Sequence, residues 1–376
     1  MATPVGDSYG CASGGAIAAG RFRLPSGFPS APLTWAEVGS NTLSALDPAN
    51  DPATNPNYPG SAPWRGITGQ VSIISAWCGA LWDESRRRLW IWGGGHGDYA
   101  GNEMYAWDAI DATFRRLSNP TGAIGNTGDL VSGSDSGVYF DGRPRSCHTY
   151  NNFAMRGVVP WFFGGSTYQT GFGPNVAFSW SGGDFVREST GTVPVGFGGV
   201  AYDSLRDVFR LFQGGTHQPR EFDPKTKTVS IPGGWADLTG TYASPHYNQA
   251  RDVFVVLEND IHVMSYTGDS QKPPVLGEGP SFSWQHAGMA YDADNDRYLV
   301  WHGGASVYVL TPPPVGNNPK TSPWSWAKID PAAGNTVTPT SAESNGTYGR
   351  FWYSPSLKCC GVVNATNQKM YVFRLA

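Results

Sequence analysis

The chain has 376 residues, with 49 Gly, 29 Pro and 13% aromatic side chains, a density of breakers that excludes long helices while supplying apolar material for a large all-β core. A net charge of −4 and a pI near 6.0 leave no polybasic footprint, which excludes nucleic acid and an acidic membrane surface as partners. No run of 18 apolar residues occurs, so no membrane insertion is expected.

In chain order, residues 1–27 form a Gly/Ala/Ser-rich arm that lacks the basic start and continuous apolar stretch of a cleavable secretion signal. Such an arm is free to lie along a partner. Residues 33–38, LTWAEV, read as a lone strand with no partner nearby in sequence, and residues 47–76, rich in Pro and Asn, read as a long loop. Six similar units follow, at about 76–118, 143–190, 196–234, 241–279, 283–331 and 348–376. Each carries an aromatic–polar pair, then a turn, then a short apolar run such as LWIW at 89–92 or VFVVL at 253–257. The pairs are Trp82-Asp83, Tyr150-Asn151, Tyr202-Asp203, Tyr247-Asn248, Tyr291-Asp292 and Tyr353-Ser354. Short apolar runs bounded by glycines and charged turns are strands buried on both faces, and a base period of about 45 residues fits a four-stranded blade.

The last unit ends after three strands. Residues 33–38 are therefore expected to pair with residues 369–375 and close the ring, which removes an exposed sheet edge. The fold class is thus all-β, a six-bladed β-propeller over residues 28–376 behind the 1–27 arm. The insertion at 118–142 is small and polar, with no strand-length apolar run, and is expected to form a rim or lid beside the GGGHGDY loop.

PRSCHTYNN, VVPWFFGGS and NVAFSW, spread over 144–180, resemble a Kelch repeat of galactose-oxidase-like propellers. GGGHGDYAGNEMYAWD at 93–108 resembles a glycine-rich Kelch-like signature of bacterial and phage proteins of unassigned role. The resemblance covers about residues 76–376 and implies the propeller fold. It leaves activity open, because Kelch propellers include binding modules, oxidases and lyases. The copper set of galactose oxidase has no residue-for-residue match here, and no cofactor is expected. Cys11, Cys78, Cys147, Cys359 and Cys360 are odd in number and lack metal-type spacing, so no disulfide framework is expected.

With strands lettered a to d outward from the axis, the b-to-c loops and d-to-a connections share one face, and the long insertions collect there. Six of the seven histidines map near that face or onto inner strands leading from it: His96, His148, His217, His246, His286 and His302. Candidate ligand-binding residues are His96, Asp98, Tyr99, Arg143, His217 and Trp64, with Tyr58, Tyr139 and Tyr168 as further aromatic platforms. Aromatic faces with a few polar donors suit sugar rings. His96 and Asp98 alone fall short of the three or more ligands of a metal site, and no metal is expected.

Two functions fit these residues. The first is a non-enzymatic binding module, a virion or tail component that binds a surface glycan or protein through the elaborated face and other virion proteins through the arm. Its location would be the virion or the extracellular space without a cleavable signal, the alternative being the cytoplasm. The second is a polysaccharide lyase, with His148 or His246 as base, Tyr168 as acid and Arg145 stabilising the enediolate. The binding module is preferred, because no residue set points to catalysis.

Overall fold

A strand that is apolar on both faces must be covered on both, and blades stacked face to face around an axis satisfy that requirement. The computed structural model describes residues 24–56, 64, 66–122, 137–169, 171, 175–189, 191–213, 218–232 and 242–376. Its sheets are six antiparallel blades and a two-stranded ribbon that pairs Cys147–His148 with Ser166–Thr167. Blade 1 is Ala80–Asp83, Arg88–Ile91, Tyr105–Asp108 and Thr113–Arg116. Blade 2 is Phe153–Arg156, Val159–Phe162, Phe178–Ser181 and Asp184–Arg187. Blade 3 is Gly199–Asp203, Val208–Phe212, Arg220–Asp223 and Thr228–Ser230. Blade 4 is Ser244–Asn248, Val253–Leu257, Ile261–Ser265 and Ser270–Gln271. Blade 5 is Gly288–Asp292, Arg297–Trp301, Val307–Thr311 and Trp324–Ile329, with Val275–Leu276 added parallel at its outer edge. Blade 6 is Trp352–Ser354, Cys359–Val362 and Met370–Arg374, and its outer strand is Thr34–Val38, paired antiparallel from Thr34 with Arg374 to Val38 with Met370. The ring closes as the lone N-terminal strand implied.

Aromatic side chains fill the seams between blades. Trp82 of blade 1 stacks on Trp352 of blade 6 at 4.2 Å, and Trp161 of blade 2 packs on Phe209 of blade 3 at 4.9 Å. The four described cysteines are buried and unpaired. Among the described residues no helix is long and apolar enough to cross a membrane.

In blades 1, 3 and 4 the polar member of the repeated pair caps the a-to-b turn. Asp83 accepts from Ser85 Oγ and Arg86 N, Asp203 from Leu205 N and Arg206 N, and Asn248 from Arg251 N. Each turn closes on a left-handed residue, Arg87, Gly157, Asp207, Asp252, Asp296 or Lys358, with φ from 46° to 59°. This frame corrects the assignment of blade 2. Its inner strand runs from Phe153 to Arg156, so Met155-Arg156 holds the turn position and Tyr150-Asn151 lies before the strand.

These turns also latch neighbouring blades. Arg156 of blade 2 holds Asp207 of blade 3 at 2.6 and 2.8 Å, Arg206 of blade 3 holds Asp252 of blade 4 at 2.7 Å twice, and Arg251 of blade 4 donates to Asp296 of blade 5 at 2.9 Å. Tyr202, Tyr247 and Tyr291 donate to the same three carboxylates at 2.7, 2.7 and 3.0 Å. Arg206 additionally meets buried Asp203 at 2.9 Å and lies 3.8 Å over the ring of Tyr266. Arg206→Ala is expected to lower unfolding free energy by about 2–3 kcal/mol, seen as a lower urea midpoint at unchanged slope.

Both described ends of the 118–142 insertion are tied to the b-to-c loop of blade 1. Asn102 brackets Thr121 with bonds of 2.9 and 2.8 Å, and the Tyr139 hydroxyl donates to Ala100 O at 2.6 Å. A rim or lid is expected of residues 118–142, and the middle of that insertion, 123–136, lies outside the described residues.

Candidate functional site

Each blade sends one ring-bearing side chain to the mouth of the channel, from the segment just before its inner strand: Trp77, Tyr150, Phe197, Tyr242, His286 and Tyr348. Trp77, Tyr150, Tyr242 and Tyr348 adopt φ of 50°, 46°, 66° and 48°, a conformation that costs a bulky residue energy and persists where the surroundings hold it. The holding bonds cross between blades. Tyr150 N donates to Trp77 O at 2.7 Å, Tyr242 N to Phe197 O at 2.8 Å, and Thr347 N to His286 O at 2.7 Å. Glycine permits this approach: a Cβ on Gly79 would stand 2.1 Å from Tyr150 O, and one on Gly349 1.9 Å from Ala80 O.

The rings touch in sequence around the axis. Tyr150 lies 5.6 Å from Phe197, 5.7 Å from Tyr242 and 6.2 Å from Tyr348 between ring centres, and Tyr242 lies 4.7 Å from His286. One arm of the cluster continues through Trp77 and His148, stacked at 5.2 Å, to His96 at 5.7 Å. The other continues through His302, 6.4 Å from His286, to Phe282 at 5.7 Å. Tyr150 and Tyr348 form a buried floor, while Trp77, Phe197, Tyr242, His286 and His302 are partly exposed and His96 is exposed. The result is a shallow bowl on the face of the d-to-a connections. Beyond it a cavity of about 490 Å³ runs along the axis, lined by the inner strands of all six blades and by Ser204, Gln249 and Ala293 of the a-to-b turns.

Burial favours the uncharged forms of His148, His286, His302, Tyr150 and Tyr348. His148 Nε2 lies 2.8 Å from Asp98 Oδ2, and Asp98 Oδ1 accepts from the Thr68 hydroxyl at 3.0 Å. Burial nevertheless holds His148 below the ordinary histidine value, and the Asp98 carboxylate offsets this only in part. Burial also depresses His286, and it pushes His302 down to about 4 with help from His286 and the Arg350 guanidinium. It raises Tyr150 and Tyr348 far enough to keep both phenols protonated.

The sequence-derived candidates divide. His96, Asp98 and His148 meet at the bowl, and Tyr168 is partly buried nearby, its N–H bonded to Ser146 O at 2.8 Å. Trp64 is 1% exposed and packs in the core. Tyr99 is no exposed platform either: it is 1% exposed and its hydroxyl donates at 2.7 Å to buried Glu103, which also accepts from Tyr105 at 2.7 Å. Tyr99→Ala is therefore expected to cost about 3–5 kcal/mol, measured by denaturant unfolding, instead of leaving stability unchanged. Arg143 reaches outward to Asp184 at 2.8 Å and Asn119 O at 2.9 Å, and His217 lies outside the described residues. Arg145 is 1% exposed, with Nε on Val138 O at 3.1 Å. His246 lines the axial cavity and donates through Nε2 to Met289 O at 2.8 Å. Thus His148, His246, Tyr168 and Arg145 occupy separate surroundings. Among the described residues no group of three or more His, Cys, Asp or Glu is placed to hold a metal ion.

His246 makes stability depend on pH. Its ring borders the axial cavity, and burial lowers its pKa to about 4, against the hydrogen bond it donates to Met289 O, which raises it. A folded pKa below the unfolded value means that this contribution is complete above about pH 6.5 and is lost as pH falls toward 4. The melting temperature should fall through that window, and His246→Gln should flatten the fall.

Sequence reasoning missed Trp77, Phe197, Tyr242 and Tyr348. Their signal was positional, an aromatic two to four residues before each inner strand, and it becomes visible only when strand starts are known.

No family model and no curated protein matches the chain. Solved structures similar to it include a structural genomics protein of unknown function from Bacteroides thetaiotaomicron, at 12% identity and TM-score 0.49, covering 90% of this chain and 75% of that one. An auxiliary nutrient binding protein from the same organism aligns at 9% identity and TM-score 0.45 over 82% of this chain and 69% of that one. A chain of a nidogen/laminin complex aligns at 10% identity and TM-score 0.40 over 76% and 93%. At these values the likenesses bear on neither activity nor ligand.

Proposed function

We propose that this propeller is a non-enzymatic binding module that takes a surface glycan in the bowl on its b-to-c and d-to-a face. The observation that carries the reading is the convergence of one ring from each of the six blades, four of them in a strained backbone conformation, at a concave and partly exposed position. Sugar rings stack their C–H faces on such side chains while hydroxyls and imidazoles bond their hydroxyl groups. The lyase reading is weaker, since its four residues do not share a pocket and Arg145 is sealed from solvent. A virion or tail role, and kinship with Kelch-type propellers, belong to the same proposal and rest on the sequence resemblance alone.

A glycan array probed with the full chain should show retention that Trp77→Ala and Phe197→Ala each weaken by about tenfold or more, at near-native melting temperatures. No rise in unsaturated-uronate absorbance should accompany it. Retention unchanged in both variants, or turnover of a uronate polymer, would overturn the proposal.

A further inference from the structure

The charges around the bowl are distributed unevenly. The surroundings of His148, His286, His302 and Tyr348 favour the uncharged forms. The charged groups that act on them are Asp98 and Arg350. Asp98 is accessible at the rim, with 27% of its side chain exposed. Arg350 is fully buried and faces inward. Its Nε donates to Cys78 O at 2.9 Å, its Nη1 to Val363 O at 2.8 Å and its Nη2 to Gly346 O, so its donors are committed to backbone carbonyls. A ligand in the bowl therefore meets a partly exposed carboxylate, and the one cation among the described residues that acts on these rings is out of its reach.

Two polar atoms in the same place are buried without a hydrogen-bond partner among the described residues: the hydroxyl of Tyr348, a residue with 0% exposure, and Nε2 of His286. Buried polar atoms are ordinarily paired, so two orphans 6.3 Å apart between ring centres, beneath partly exposed aromatic faces, mark a place where bonds remain to be made. A protonated phenol and a neutral imidazole bond well to sugar hydroxyls and offer a carboxylate no charge to offset its desolvation.

We infer that the bowl is built for an uncharged sugar residue, stacked on Trp77, Phe197 or Tyr242 and bonded through its hydroxyls to Tyr348 and His286, and that it rejects uronates and other acidic sugars. This inference rests on the glycan reading above and narrows it. Placing a second carboxylate beside Asp98, with no countercharge offered by the described residues, carries a penalty that an uncharged hydroxymethyl group escapes.

The test is calorimetric titration of the full chain with neutral oligosaccharides of mannan, galactan, xylan and β-glucan, and with oligogalacturonate and alginate oligomers, each at low and high salt. At least one neutral series should bind with a Kd indifferent to salt, and the acidic oligomers should bind at least about tenfold more weakly. Tyr242→Ala and His286→Leu should weaken the neutral sugar by about tenfold while near-UV circular dichroism stays native. Acidic oligomers binding as tightly as neutral ones, with a Tyr242→Ala loss, would overturn the charge preference and leave the glycan reading standing. Binding of neither class, or binding that both substitutions leave untouched, would overturn both together.

Discussion

A chain lacking residues 1–42 is expected to lose the whole ring, with collapse of the near-UV circular dichroism signal and a melting temperature lowered by more than about 10 °C, or no folded product at all. The strand Thr34–Val38 reaches further than the sheet it completes. Trp35 is 3% exposed, packs on Phe373 at 4.9 Å and Trp301 at 6.4 Å, and donates through Nε1 to Ala305 O at 2.7 Å, which ties blade 6 to blade 5. In the other direction Asn41 accepts from Phe114 N at 2.8 Å and donates to Phe114 O at 2.9 Å, holding the outer strand of blade 1. Phe28 stacks on Trp107 of blade 1 at 6.1 Å. Burial of Phe28, Trp35 and Val38 stabilises by roughly 2–3 kcal/mol each, and the unpaired blade 6 edge adds to the loss, so the total approaches the whole stability of an ordinary domain. Deletion of residues 1–26 leaves the strand and Phe28 in place and should move the melting temperature by no more than about 2 °C. Equal melting of the two deletions would show that closure contributes little.

Arg350→Met should cost about 3–5 kcal/mol, measured as a lower urea midpoint. The guanidinium joins the approach to blade 1, through Cys78 O, to the end of the second strand of blade 6, through Val363 O, at the same seam that the N-terminal strand closes. Burial lowers its pKa to about 10, so it is still charged at neutral pH, and the carbonyls that surround it would be left buried and unpaired by methionine. Arg350→Lys keeps the charge but replaces a planar fork by a single ammonium, and should recover only part of the loss. Urea titration of both variants measures the difference. A methionine variant as stable as the parent would mean that the seam is held by packing alone, chiefly Trp82 on Trp352.

Blade number, ring closure and the aromatic–polar pair before the a-to-b turn of every blade but the second were legible in the chain itself. They depend on local physics: short doubly apolar runs, turn residues at fixed offsets, and an unpaired strand left at each end of the repeat. The shift of blade 2 was not legible, because Tyr150-Asn151 mimics the turn pair while Met155-Arg156 fills its place. The Arg-Asp pairs at 206–207 and 251–252 stood in the sequence, but their partners lie one blade away, and only the stacking of blades shows that each arginine reaches the next aspartate. The tertiary structure also decided which aromatics face a ligand. Tyr99 and Trp64 sit in a long glycine-rich loop and a Pro-rich one, where a sequence suggests exposure, yet the b-to-c loop of blade 1 folds inward and buries both. Trp77, Phe197 and Tyr242 sit in connections with no periodicity of their own, and they become neighbours because six inner strands converge on one axis and pinch together at their glycines. Convergence of residues far apart in sequence is a property of the closed ring, and no single repeat contains it.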